Sequence, residues 1–355
     1  MQAQRTRPQV SVIVRSMARP TLSTALASLA AQRDVEAEVV VVAACGPRHP
    51  ALDDRAGPHR VRLVVGGGPL QRAAAANAGL VACEGEWITF LDDDDRFEPD
   101  HLAGLLAGAR QAPSARVVTS YAKSVLRDGR TEYVGQPFAL AQLYERNYVH
   151  LSSCLFAREL VDAGCRFDES LEILEDWDFV LQLAHRASVH FVPLASFQWN
   201  ADAGDSGAGG GENHDAARLA LFRERVYAKW ASEQEALASR TQSLLEGAVA
   251  AAQSGRIAQA DALCLQALAI SVNDPWALNV RAMVLRQAGR LADARSVQAH
   301  AVAVRPIDGG FVYNLALLDR AVGDLDAARR NAQRAAELEP GFDPAQALVR
   351  ELKDS

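Results

Sequence analysis

A hydrophobic segment, residues 87–91, runs directly into four consecutive carboxylates: Asp92, Asp93, Asp94 and Asp95. Adjacent anions repel, and placing them at the mouth of a buried strand calls for a counter-charge. A hard divalent cation, Mg2+ or Mn2+, fits best, because such ions prefer carboxylate oxygens and share them with substrate phosphates. The plainer alternatives are a solvated acidic turn, or an N-cap for the helix that starts near Pro99. Ligands bind at strand ends in α/β sheets, which favours the metal reading. A second acidic group, Glu175, Asp176 and Asp178, opens a helix in which Trp177, Val180, Leu181 and Ala184 recur at helical spacing. The dipole at a helix start favours negative charge, so these acids read first as a cap.

The elements that must position these groups are short. Residues 10–14 (VSVIV), 38–43 (EVVVVA) and 61–65 (VRLVV) are apolar, β-branched runs of the kind found in buried parallel strands. A helix opened by Arg19-Pro20-Thr21 puts Leu22, Ala25, Leu26 and Leu29 on one face, and a second runs over residues 70–83. This alternation predicts a parallel, doubly wound sheet. Further on, the pattern predicts a helix over 101–110, a strand over 115–122, a hairpin across Asp128-Gly129-Arg130 and a strand over 188–192. Residues 200–215 form a Gly-rich stretch that reads as a lid or a connector.

The chain of 355 residues should hold about two domains. With 49% hydrophobic and 23% charged residues it has the composition of an ordinary globular protein. A net charge of −7 excludes the basic footprint of a nucleic-acid binder. Five cysteines with no CxxC pair suggest reduced thiols. The first residues lack the apolar core of a signal peptide, and the longest apolar run, 39–45, is too short to span a membrane. The expected location is cytoplasmic, with a peripheral place at the inner membrane face left open.

From Asp215 onward the chain is Ala-rich and helical in pattern, with a strict period. Gly255, Gly289 and Gly323 recur every 34 residues, as do Ala248, Ala282 and Ala316; Ala260, Ala294 and Ala328; and Ala267, Ala301 and Ala335. Pro306 and Pro340 keep the same interval, with Val272 one repeat earlier. Small residues at fixed offsets let paired helices approach, and the glycine ends the first helix of each pair. This pattern resembles the tetratricopeptide repeat. Ala251, Gln298 and Val312 stand where larger residues are common in that family, which implies a shallow groove. Residues 343–352 would form a capping helix.

VSVIV, the RPTL that opens the first helix, NAGLVACEGEWITFLDDDD and the LEDWDF helix start together resemble a family-2 glycosyltransferase of the GT-A fold. The resemblance covers roughly residues 9–230, and the ordered pair of acidic motifs is its specific part. It implies a Rossmann-like mixed sheet flanked by helices over residues 1–232, followed by an all-α tetratricopeptide solenoid over 233–355 with about three repeats and a cap helix. It implies a nucleotide-sugar donor (UDP-, GDP- or dTDP-linked), a glycan or protein acceptor, and Mn2+ or Mg2+ as cofactor. By resemblance Asp94 is the direct metal ligand. Asp92 or Asp93 contacts the ribose or the metal shell, Asp95 supports the ligands from behind, and His214 completes the metal site or contacts phosphate. Asp176, with Glu175 as the second candidate, is the general base of an inverting displacement. Arg15, Ser16 and Arg72 join the nucleotide-sugar-binding set.

Three positions depart from the family pattern. Ala43-Ala44-Cys45 replaces the acid that reads the base, Arg15-Ser16-Met17 replaces a Pro-Thr-Tyr, and Ala76 replaces the arginine before Asn77, for which Arg72 is the substitute. They leave the base identity open. Two other functions compete. One is a GT-A-like domain without catalysis that serves, with the repeats, as a scaffold; the retained acids argue against it. The other is nucleotidyl transfer, against which stands the lack of glycines over residues 15–21. The repeats are expected to bind a protein partner, the acceptor or another protomer.

Overall fold

The computed structural model describes residues 7–126, 130–200 and 215–353. In chain order the elements are β1 (Val10–Ser16), α1 (Leu22–Ala30), β2 (Ala37–Ala43), β3 (Arg55–Ala56), β4 (His59–Val64), α2 (Arg72–Ala82), β5 (Trp87–Asp92), β6 (Arg96–Phe97), α3 (His101–Gln111), β7 (Val117–Thr119), β8 (Ala122–Val125) and β9 (Thr131–Val134). They continue with α4 (Leu140–Glu145), β10 (Cys154–Ala157), α5 (Arg158–Asp162), α6 (Glu175–Arg186), β11 (Val189–Phe191), β12 (Phe197–Gln198) and α7 (Ala216–Gln253). The last six are α8 (Ile257–Ile270), α9 (Pro275–Gln287), α10 (Leu291–Val304), α11 (Gly309–Ala321), α12 (Leu325–Leu338) and α13 (Asp343–Lys353).

Contacts divide the chain into two compact units. The first comprises Met1–Gly135 and Asn147–Lys229, and the second Gln136–Arg146 and Trp230–Ser355. The boundary expected at residue 232 therefore omits one segment, since residues 136–146 belong to the second unit. Their sequence carries no repeat signal, and only packing assigns them.

The first unit is built on an eight-stranded sheet of order β11-β7-β10-β5-β1-β2-β4-β3. Strands β5, β1, β2 and β4 are parallel, as the βα alternation requires. β10 runs antiparallel between β5 and β7, so the sheet is mixed, not purely parallel as the strand pattern alone suggested. β10 follows no crossover helix, and this frees it to enter in the opposite sense. The single strand expected over 115–122 is two, β7 in this sheet and β8 in a second sheet of order β6-β12-β8-β9. β8 and β9 pair antiparallel as the expected hairpin does, while Asp128 and Gly129 of its turn lie outside the described residues.

β1 and β2 are buried along their whole length, which explains their mostly apolar sequence. α2 lies close on β1 because Gly79 has no side chain; a Cβ there would come within 2.3 Å of Ile13 Cγ2.

The second unit consists of antiparallel helix pairs on the 34-residue period. Gly255, Gly289 and Gly323 adopt φ of 73°, 75° and 85°, the left-handed conformation that closes a helix C-terminus. All nine periodic alanines are fully buried where helices cross. Asp274, Asp308 and Asp324 cap α9, α11 and α12 through their carboxylates. A cavity of about 590 Å3 is walled by α7, Trp276 and the α4 residues Tyr144 and Glu145, which supply the bulk that the repeat positions lack. Among the described residues no helix is long and apolar enough to cross a membrane. All five cysteines are free thiols.

Candidate active site

Parallel strands β1 and β5 run side by side, with Arg15 in register with Asp92, so both side chains emerge at the same carboxyl edge. Arg15 grips Asp92 with two parallel hydrogen bonds, Nε to Oδ1 and Nη2 to Oδ2, each 2.9 Å. Its third arm donates to Glu175 Oε1 at 3.0 Å, from the first turn of α6. Arg72, at the start of α2, donates to the same Glu175 oxygen at 3.1 Å and lies 3.7 Å from Asp92. The strand edge, α2 and α6 are thus drawn together by two guanidiniums on two carboxylates. Glu175 is not a cap. The residue preceding α6, Leu174, has φ 63° and provides no side-chain cap, and Glu175 is buried on the arginines.

Asp93 turns the other way. It accepts from Arg19 Nη1 at 2.7 Å, from the Met17 backbone N–H at 2.8 Å and from Ser16 Oγ at 3.2 Å. Ser16 Oγ is in turn 2.9 Å from His49 Nε2. This wrapping requires Ala18 to sit at φ 59°. Ala18 and Leu174, each adjoining residues of the cluster in the chain, are left-handed non-glycine residues, and such strain collects at functional sites.

The remaining acids are less well compensated. Asp95 accepts from the Asn200 backbone N–H at 2.9 Å, and burial together with Asp92 holds its carboxyl well above the usual range. Asp94 has Arg19 only at 3.5 Å, and burial and the neighbouring Asp92 charge raise it too. Asp92 itself is pushed up by burial but pulled down further by Arg15 and Arg72, to about 2. The acid run therefore serves neither as a solvated turn nor as a cap, because α3 begins after Asp100 and shows no side-chain cap.

Asp176 stands beside Glu175. Its Oδ1 accepts from the Trp177 N–H at 2.8 Å, and its Oδ2 from Asn147 Nδ2 at 3.4 Å. Burial and the Glu175 charge raise its carboxyl to about 6, against the opposing pull of Arg72. Asp178 belongs elsewhere, buried against Lys229 at 2.9 Å.

The structure thus brings together Arg15, Arg72, Asp92, Glu175 and Asp176, with Ser16, Asp93 and Asp94 on the adjoining turn. His214 lies outside the described residues. Sequence reasoning missed Arg19 and Asn147 as partners of the acids, His49 as the partner of Ser16, and His150, on which Asp92, Arg15 and Arg72 all act electrostatically. Arg19 was visible as the opener of α1; the others stand in no motif. For a divalent cation the chemistry of the donors fits. Asp94 offers hard oxygens with Arg19 at 3.5 Å, although among the described residues no three His, Cys, Asp or Glu side chains form a ready-made metal cluster.

Residues 11–157 match the family model described as glycosyl transferase family 2. The succinoglycan biosynthesis protein ExoO of Rhizobium meliloti is 31% identical over 188 residues, covering 48% of this chain and 54% of that protein. An uncharacterized glycosyltransferase of Bacillus subtilis, YwdF, is 34% identical over 143 residues, 38% of this chain and 52% of the relative. The chain spans about half the length of these curated relatives. Among solved structures, S. aureus TarS 1–349 overlays with a TM-score of 0.47 at 15% identity, covering 98% of this chain and 91% of that one. The similarity to family 2 glycosyltransferases thus lies mostly in the first unit, over residues 11–157.

Proposed function

We propose that the first unit transfers a sugar from a nucleotide-sugar donor to a hydroxyl acceptor by metal-dependent, inverting displacement. The observation that supports this best is the pairing of two unlike acids on one turn. Glu175 is locked by two arginines, while Asp176, adjacent to it, is left with one weak side-chain donor and a raised carboxyl. A general base works best with a pKa near the operating pH, and Asp176 has moved toward it. Asp176 takes the proton of the acceptor hydroxyl as that oxygen attacks the anomeric carbon, and the nucleoside diphosphate leaves from the opposite face. Arg15 and Glu175 hold the edge of β5 and the start of α6 at fixed separation, which keeps base and donor site in line.

A divalent cation on Asp94, with Asp92 and Asp93 close by, would offset the charge that develops on the departing diphosphate. Ser16, Arg15 and the half-exposed Arg72 border the place where the nucleotide-sugar would lie. Calorimetric titration of UDP, GDP and dTDP, each with and without Mn2+, tests this on the wild type and Asp94→Ala. Metal-dependent binding of one nucleotide, lost in the variant, is the expected result. Binding of none in the presence of metal would favour the scaffold reading.

For the second unit we assign the binding of a protein partner, the acceptor or another protomer through the groove at Tyr144, Val249 and Trp276. Its support is that Trp276 and Val249 remain 49% and 42% exposed there. Sedimentation of the wild type against Trp276→Glu tests the self-association arm.

A further inference from the structure

His150 leads into the 3-10 turn Leu151–Ser153, and its ring is held on three sides. Its Nδ1 accepts from the Ser152 backbone N–H at 3.3 Å, and the ring packs against Phe197 and Trp199 with centroids 4.6 and 6.0 Å away. An accepting Nδ1 fixes the tautomer of the neutral ring, so the proton sits on Nε2 at the far corner. That corner finds no hydrogen-bond partner among the described residues, and it is not sealed in the interior as an orphan either. Burial weighs most on the ring, and Asp92, Arg15 and Arg72, the centre of the candidate active site, also act on it electrostatically. Trp199, on one flank, also walls a cavity of about 290 Å3 with Asp94, Asp95, Thr21 and Gln198.

We infer that His150 is a substrate-binding residue whose Nε2–H donates to a hydroxyl of the transferred sugar, with Trp199 as the adjoining ring wall. The inference rests on the transferase reading above. A neutral, orientation-locked donor beside an aromatic face suits an uncharged sugar hydroxyl; the phosphates have the cationic arginines. Its effect falls on the sugar and not on the nucleotide, and it serves donor choice, since a site built to hydrogen-bond a hydroxyl penalises analogues that lack it.

The test compares UDP and GDP with UDP-glucose, UDP-N-acetylglucosamine and GDP-mannose by calorimetry in Mn2+, for wild type, His150→Phe, His150→Ala and His150→Gln. Phe keeps the ring packing and removes the donor; Gln restores a donor near the Nε2 position. The expected result is unchanged affinity for the free nucleotide, about tenfold weaker binding of its sugar conjugate in Phe and Ala, and recovery in Gln. Equal loss for nucleotide and conjugate, or no loss for either, would overturn the inference while leaving the transferase reading intact. If the wild type binds no nucleotide at all, both readings fail together.

Discussion

Aspartates removed from solvent show how differently the two units use charge. In the repeats, Asp319 is 1% exposed and fully answered: Arg295 donates at 2.6 Å, Asn331 at 2.7 Å, and Arg295 reaches on to Asp324. In the sheet unit, the partly buried Asp94 and the buried Asp95 stand beside Asp92 and are raised by desolvation and by its charge. A buried acid with all its partners present makes structure. One left short of them keeps a free-energy deficit that a bound ligand can relieve. Asp319 in the repeats is answered in full, whereas Asp94 and Asp95 at the strand end are not. That contrast marks where chemistry belongs.

The sharpest way to break the comparison is at Asp176. Asp176→Asn keeps the shape and removes the base, so turnover should fall by roughly 10^2–10^4-fold with nucleotide affinity unchanged, read from nucleoside diphosphate release and calorimetry. An unchanged turnover would return Asp176 to a structural role. Next comes Arg15→Met, which leaves the buried Glu175 and the strand-end Asp92 short of their counter-charge. It should lower stability by roughly 3–5 kcal/mol, seen as a lower midpoint in urea unfolding. If the midpoint stays put, the arginine clamp is dispensable.

The repeats should respond to shape and not to charge. Ala294→Leu overfills a helix crossing and should cost about 1–3 kcal/mol in unfolding of the second unit. Nucleotide binding by the first unit should be untouched; a parallel loss of binding would undo the separation of roles drawn here.

The smallest effect is a shift with pH. Folded Asp176 holds its proton to about pH 6, above the ordinary aspartate value shown by the unfolded chain. The folded state therefore binds more protons between those two values, so Asp176 makes stability fall as pH rises through that window, and the cost is complete above it. Activity runs the opposite way, rising through about pH 6 as the base ionises. Arg72→Ala removes a charge that lowers Asp176, and should move the acid limb of the rate profile to higher pH. A limb that stays in place would mean that another group titrates.

Much of this was legible beforehand because it depends on local pattern. The buried strands announce themselves by β-branched runs, and the repeats by glycines and alanines at one interval, since each repeat meets the same packing problem. The direction of β10 was not legible. Its four residues fit a parallel or an antiparallel neighbour equally well, and only the route of the chain around β7 decides. Only the family resemblance ranked Asp176 above Glu175; the local pattern did not separate them. Both look like first-turn acids, and nothing within the helix says that two arginines from distant elements will take one and spare the other.

What the amino-acid order fixed by itself was therefore the inventory and its spacing: four acids at a strand end, an acidic pair at a helix start, and a 34-residue helical period. Tertiary structure decided which acids are neutralised. Arg15 is adjacent to Asp92 only across a parallel pair, and Arg72, Asn147 and Glu175 meet only when α2, the stretch before Leu151 and α6 converge. Compensation of buried charge depends on distances of a few ångströms between residues far apart in the chain, and no local pattern encodes those distances.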